Sequence, residues 1–151
     1  MDKILVSHEH KVSVFDSFLN EKLHEIDFEK TYVSCFTSYQ DKVLLGTVSG
    51  DLVLFDNKSL KTRKVIKLPD AISDMGFDGN HLYLTTHNKT FYVFDKDFNL
   101  EKKIKLNLPE FSCLDVGKEV LVGSYDGNVY RYANDNLEAV IETPFPASNE
   151  D

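Results

Sequence analysis

The residues best equipped for chemistry are a His8-Glu9-His10 triplet, a set of aspartates at Asp16, Asp56 and Asp95, two more at Asp74 and Asp115, and the cysteines Cys35 and Cys113. Two imidazoles beside a carboxylate are donor types that hold zinc. Here the triplet falls in a predicted hairpin turn with alternating side chains, so the histidines need not converge on one ion. His81 and His87 flank a predicted strand with no cysteine or acid at ligand spacing, and read as strand-end residues. The first three aspartates each follow an aromatic and recur once per repeat. A catalytic group is needed once, so their recurrence points to turn capping. Neither cysteine has a CxxC neighbour, and both stand at buried-type positions on different strands, which reads as two reduced structural thiols. The sequence has no phosphate-cradling loop, dinucleotide glycine fingerprint or nucleophile elbow. The expectation is a non-enzyme with no cofactor and no metal.

What must position these residues is a repeat. SHEHKVSVFD, TVSGDLVLFD, THNKTFYVFD and SYDGNVYRY align without gaps, and their late aromatics, Phe15, Phe55, Phe94 and Tyr132, lie 40, 39 and 38 residues apart. Eight residues before each aromatic stands a hydroxyl: Ser7, Thr47, Thr86 and Ser124. The acid after the aromatic fails only in the fourth copy, at Ala133. Between hydroxyl and aromatic lies a tight turn, with glycine in Ser124-Tyr125-Asp126-Gly127-Asn128 and in Ser49-Gly50-Asp51 supplying positive φ. The first copy (Glu9, His10) and the third (Asn88, Lys89) have no glycine and are expected to turn differently.

Period-two alternation completes each unit as inner strand, hairpin pair and outer strand. Outer strands are predicted at Leu23 to Phe28, Val65 to Leu68, Ile104 to Leu106 and Leu137 to Glu142. Inner strands are predicted at Val33 to Phe36, Ile72 to Phe77 and Phe111 to Val116, two of them entered through Leu68-Pro69-Asp70 and Leu108-Pro109-Glu110. Ser34, Ser73 and Ser112 keep one place at steps of 39. Four strands per unit at this period is the pattern of a propeller blade. The fold class is all-β, propeller-like, with three complete four-stranded antiparallel blades and one lacking its inner strand.

From Ile4 to about Thr143 the chain resembles the WD-repeat β-propellers. In that family the strand hydroxyl, turn aspartate and an aromatic-Asp end share a hydrogen-bonded tetrad within each blade. The resemblance therefore implies structural roles for Ser7, Thr47, Thr86, Ser124, Asp126, Phe15, Phe55, Phe94, Tyr132, Asp16, Asp56 and Asp95. Ser124, Asp126 and Tyr132 match in the fourth copy. Phe-Asp replaces Trp-Asp in the first three, and phenylalanine cannot donate the indole hydrogen bond, so the blades should depend more on apolar packing. Cys35-Phe36 followed by Leu45 to Leu52 is similar to an early blade of the spindle-checkpoint and messenger-RNA-export adaptors, which bind short peptide motifs.

Length and charge bound the rest. With 151 residues, 42% of them hydrophobic, the chain has enough apolar content for one domain, expected over 1–143 with an acidic, proline-containing tail over 144–151. A net charge of −8 argues against nucleic acid or an anionic membrane as partner. Lys61, Arg63, Lys64 and Lys67, with Lys102, Lys103 and Lys105, read as a solvated, aggregation-resistant outer edge. No apolar run reaches membrane-span length, and Met1-Asp2-Lys3 leads straight into a strand rather than a signal peptide; the expected location is intracellular, cytoplasmic or nuclear.

Closure is the open physical question, since closure protects sheet edges. The sequence allows a compact four-bladed ring with an imperfect seam, an open half-propeller whose edges pair with a partner or second copy, or a truncation of something longer. The functional expectation is a protein-interaction scaffold or adaptor working through blade loops and exposed strand edges. Tyr32, Tyr39 and Tyr125 are the candidate partner-binding aromatics, with Phe111 read mainly as filler between blades. A different class of function, a small-ligand, cation or enzymatic site in a central channel, would rest on Asp74 and Asp115 on adjacent inner strands.

Overall fold

The computed structural model describes residues 3–18, 21–106 and 111–142, and every regular element among them is a β-strand. The first sheet holds β1 (Lys3–His8), β2 (Lys11–Asp16) and β3 (Lys22–Asp27). The second holds β4 (Val33–Tyr39), β5 (Lys42–Thr47), β6 (Asp51–Asp56) and β7 (Lys61–Lys67). The third holds β8 (Ile72–Phe77), β9 (His81–Thr86), β10 (Thr90–Asp95) and β11 (Leu100–Lys105). The fourth holds β12 (Phe111–Val116), β13 (Val120–Ser124), β14 (Val129–Ala133) and β15 (Asn136–Ile141). Every pairing is antiparallel and sequential, giving three four-stranded blades and a first blade of three strands. The Leu108-Pro109-Glu110 turn and the 144–151 tail lie outside the described residues.

The blades stack through alternate faces of their middle strands. Directly paired residues share a face, so Val43, Leu45, Val53 and Phe55 point one way from the second blade while Leu44, Gly46, Leu52 and Leu54 point the other. The first group packs on Val12, Val14 and Ile26 of the first blade, and the second on Leu82, Leu84, Tyr92 and Phe94 of the third. Tyr83, Phe91 and Val93 then meet Val120 and Val122 of the fourth. Each blade thus has a leading face toward its predecessor and a trailing face toward its successor. The aromatic column lies on the leading face, with Phe55 and Phe94 buried and Tyr132 in contact with Phe91 at a ring separation of 5.2 Å. Burying one such ring is worth roughly 1.5–3 kcal/mol, so phenylalanine holds blade on blade without the indole bond.

The inner strands β4, β8 and β12 run side by side. Two glycines permit that approach, since a Cβ on Gly46 would lie 2.9 Å from Ile72 Cγ2, and one on Gly76 2.5 Å from Val116 Cγ2. Each inner strand also carries one register shift, at Ser34, Ser73 and Ser112, making each serine a bulge residue. The Ser34 hydroxyl donates to the carbonyls of Gly46 and Ile72, tying a bulge to the next blade. None of the closely packed element pairs joins the first blade to the fourth. Among the described residues the two ends of the arc stand uncovered, with Ile4 and Val6 exposed on the first blade and Ile141 on the fourth.

Two local expectations are corrected. The third hairpin does not turn differently: Lys89 stands at φ 56 where Gly50 (φ 89) and Gly127 (φ 85) stand, and all three amides donate to the carbonyl three residues back. Only the first copy differs, with Glu9 at φ 52 in a two-residue turn closed by the His8 and Lys11 pair. A left-handed non-glycine residue costs roughly 1–2 kcal/mol, so Lys89→Gly is expected to raise the thermal midpoint by a few degrees, read by circular dichroism. The second correction concerns Cys113, which is exposed, whereas Cys35 is buried. Both sit on trailing faces, paired with Gly123 and Gly46, but only Cys35 has a further blade over it. Burial pushes the Cys35 thiol up to about 12.

Candidate protein-binding site

The meander places the β1–β2, β5–β6, β9–β10 and β13–β14 turns at one end of the sheets, together with the links that enter β4 and β8. The β2–β3, β6–β7 and β10–β11 turns lie at the other, with the β4–β5 turn. At the first end Tyr32 is 48% exposed and Tyr125 69% exposed. Tyr32 leans on His10, rings 4.3 Å apart, and His10 Nδ1 lies 3.2 Å from the Thr31 carbonyl. These two tyrosines are presented to solvent on one end. Tyr39 is not: it is buried at the opposite end between Phe77 and Phe98, its hydroxyl donating to the Lys96 carbonyl. It belongs to the second-to-third blade junction, and burial raises its pKa. Phe111 is buried in the third-to-fourth junction.

The recurring aspartates cap turns. Asp16 accepts the Phe18 amide at 3.2 Å, Asp56 those of Lys58 and Ser59, and Asp95 those of Asp97 and Asn99. Asp78 repeats the device with Asn80 and His81 and also accepts the Tyr83 hydroxyl at 3.1 Å, a cap not singled out in the sequence although Asp78-Gly79-Asn80 is a turn signal. Amide donation holds the Asp56 and Asp95 carboxyls below the ordinary value of 3.8. For Asp78 and Asp51 burial opposes ionisation but loses, at Asp78 to the His81 and Asn80 amides and at Asp51 to Lys64, Lys67 and Ser49. A carboxylate lowered on folding contributes stability above its unfolded value and loses it as pH falls through the folded one. The thermal midpoint is therefore expected to hold from pH 6 to 5 in respect of these groups and to fall below pH 4, with a shallower fall in Asp78→Asn.

The hydroxyl column divides. Thr47 Oγ1 accepts the Asp51 amide at 3.0 Å and lies 3.0 Å from Ser49 Oγ, which donates to Asp51. Ser7 donates to the Val33 carbonyl of the second blade at 3.4 Å. Thr86 and Ser124 are buried. Asp74 offers little to a cation, because it accepts the Met75 amide with Oδ1 and the Leu114 amide of the fourth blade with Oδ2. Among the described residues no group of three or more His, Cys, Asp or Glu side chains is arranged for a metal. His8 Nε2 instead lies 2.9 Å from Ser13 Oγ, and His10 turns to Tyr32.

The structural feature without counterpart in the other blades is β1. In the second, third and fourth sheets the equivalent strands β5, β9 and β13 have an inner strand beside them; β1 is the terminal strand of its sheet. Among the described residues no strand lies along its outer edge, where one row of backbone amides and carbonyls points away from β2.

No family model and no curated protein matches this sequence. Solved structures do. The structure of U3-55K is 16% identical and superposes with a TM-score of 0.79, covering 91% of this chain and 47% of that one. The WD40 repeats of RRP9 give 17%, 0.78, 91% and 47% in the same order. This chain has the WD40 propeller fold. It spans about half the length of the WD40 chains it matches. A computationally designed protein, Ika8, is 17% identical, TM-score 0.74, with 85% and 42% covered.

In the fourth blade the turn aspartate also engages a tyrosine that the resemblance did not point to. Asp126 accepts the Asn128 amide at 2.9 Å and the Tyr130 hydroxyl at 3.1 Å, while Tyr132 donates to Asp135 at 3.3 Å. The polar network is drawn from Tyr130, two residues before the matching aromatic. No helix among the described residues is long and apolar enough to cross a membrane.

Proposed function

We propose that this chain is a non-catalytic protein-interaction scaffold that takes extended protein segments by strand addition. The observation that carries the reading is β1, terminal in its sheet while β5, β9 and β13 are each flanked by an inner strand. A segment laid along β1 would gain the backbone hydrogen bonds that inner strands supply elsewhere, and side chains at alternate positions would set its selectivity. Tyr32, exposed at the end where β1 finishes and leaning on His10, is its aromatic anchor, and Tyr125 offers a second exposed ring on the same end of the fourth blade. The WD40 fold supports this reading, as does the similarity to adaptors that bind short peptide motifs. The expected location is the cytoplasm or nucleus, where the Cys113 thiol stays reduced.

The test uses a synthetic peptide of residues 70–79, an inner-strand sequence of this same chain, as probe. Its binding should slow hydrogen exchange of the β1 amides, Lys3 to His8, and leave those of the flanked strand β9 unchanged. Tyr32→Ala is expected to weaken that binding about tenfold, roughly 1.4 kcal/mol. Binding with no protection in β1 overturns strand addition; loss of no affinity in Tyr32→Ala removes the anchor.

A further inference from the structure

We propose that the partner seated on the open ends of the arc is a second copy of this chain, docked head to tail so that two copies close one ring. The inference rests on the protein-binding reading and names the occupant of a different surface, the two unpaired blade faces.

Every internal junction joins the trailing face of one blade to the leading face of the next. Among the described residues one face of each kind is left uncovered, the leading face of the first blade and the trailing face of the fourth. On the first blade the leading face carries Ile4 and Val6, 36% and 41% exposed, and Phe15, which is partly exposed and paired with Ile4. Phe15 holds the place of Phe55, Phe94 and Tyr132, all packed against a preceding blade. On the fourth blade the trailing face carries Leu121, Val129 and Ile141, the last 58% exposed, with Arg131 held by Glu119 at 3.4 Å and Glu138 at 3.8 Å.

The third-to-fourth junction shows how such faces meet. Tyr132 lies 5.2 Å from Phe91 and 6.0 Å from Tyr83, ring to ring. By strand register Phe91 corresponds to Val129, Tyr83 to Leu121, and Tyr132 to Phe15. Phe15 of one copy therefore seats on Leu121 and Val129 of the other. The same contact recurs at the second seam, because a two-fold arrangement uses each face once per copy. An apolar leading face and a trailing face of branched aliphatics continue the stacking already present at three junctions.

The count also fits. Four sheets per copy give eight in the pair, within the four to eight blades of known propellers. One copy covers 47% of each of the two WD40 chains it matches, so two copies approach a full circuit. On the trailing face of the fourth blade the inner strand β12 carries Cys113 and Asp115, neither of them an apolar packer.

Light scattering after size exclusion, run from about 1 to 200 μM, tests this. The expected mass is twice the 17.3 kDa of one copy. Phe15→Lys and Val129→Glu should each return it to that of one copy, with far-ultraviolet circular dichroism unchanged. Mixing the two variants should restore the double mass, since one seam then joins two unaltered faces and the other sets lysine against glutamate. A second readout is independent of charge. In a Cys113→Ser background, Phe15→Cys and Val129→Cys chains should form an intermolecular disulfide with each other faster than either forms with itself.

A single-copy mass across the range overturns the proposal and leaves strand addition at β1 untouched, because the peptide experiment is read on one copy. Disruption by only one variant, with no restoration on mixing, identifies a like-face dimer and also overturns it. Growth beyond two copies means that the rotation does not close, and rejects the ring.

Discussion

Phe55→Ala should cost about 3–5 kcal/mol, the usual loss for a buried phenylalanine whose site cannot collapse, whereas Phe15→Ala should cost under about 1 kcal/mol in the single copy. The two residues occupy the same column of the repeat, eight residues after Thr47 and Ser7. Phe55 is fully buried between Val12, Val14 and Ile26 of the first blade and Leu45 and Val53 of its own. Phe15 has the same local sequence without a blade in front of it. The difference is tertiary, and urea denaturation at low micromolar concentration reads it directly.

The loss in Phe55→Ala should also be uneven. The first sheet has three strands and is attached mainly through the cluster around Phe55, supported by the stacking of His24 at 6.3 Å and the bonds from Lys3 to the Asn57 carbonyl and Ser7 to the Val33 carbonyl. In a stack where each blade touches only its neighbours, stability is a sum of blade and junction contributions. Removing the largest side chain of one junction should release β1 to β3 as a unit, seen as fast amide exchange there while β9 and β10 keep their protection. Equal losses in the two variants, or uniform loss of protection, would show that the blades are not stacked in this order.

Much of this fold was legible because the repeat reports it three ways: an aromatic, a hydroxyl and an inner-strand serine all recur near a spacing of 39. Strand order and the shortened first blade follow from that spacing alone. What was not legible depends on which blade lies next door. Cys35 and Cys113 have similar local sequences, and only the count of blades says that one is covered and the other exposed. Tyr39 and Tyr32 both border β4, and the difference between a core ring and a surface ring comes from Phe77 and Phe98 in the third blade. The serine bulges escaped for a different reason. A β-bulge is a register shift between strands, and alternation within one strand does not encode it; the repeated serine was its only trace. The tyrosine that Asp126 selects was hidden because Tyr130 and Tyr132 lie on one face of β14, and only the reach from the turn decides between them.

Gly50→Ala should be strongly destabilising for the addition of a single methyl. The expected cost is about 3 kcal/mol or more, from two sources that a control separates. Gly50 sits at φ 89, where an L side chain pays roughly 1–2 kcal/mol in backbone strain. A Cβ there would also stand 2.2 Å from the Leu68 carbonyl oxygen and 2.8 Å from that of Asp70. Both are backbone atoms, and the Leu68 amide is bonded to the Gly50 carbonyl at 2.8 Å, so the link entering the third blade cannot move without losing that bond. Gly79 has φ 99 and nothing within 4 Å of its added Cβ. Gly79→Ala therefore reports strain alone, and the excess in Gly50→Ala reports the clash between the β5–β6 turn and the 68–70 link. An equal loss in both variants would mean that the link gives way freely, and that the second and third blades are held by their apolar faces rather than by the turn that bridges them.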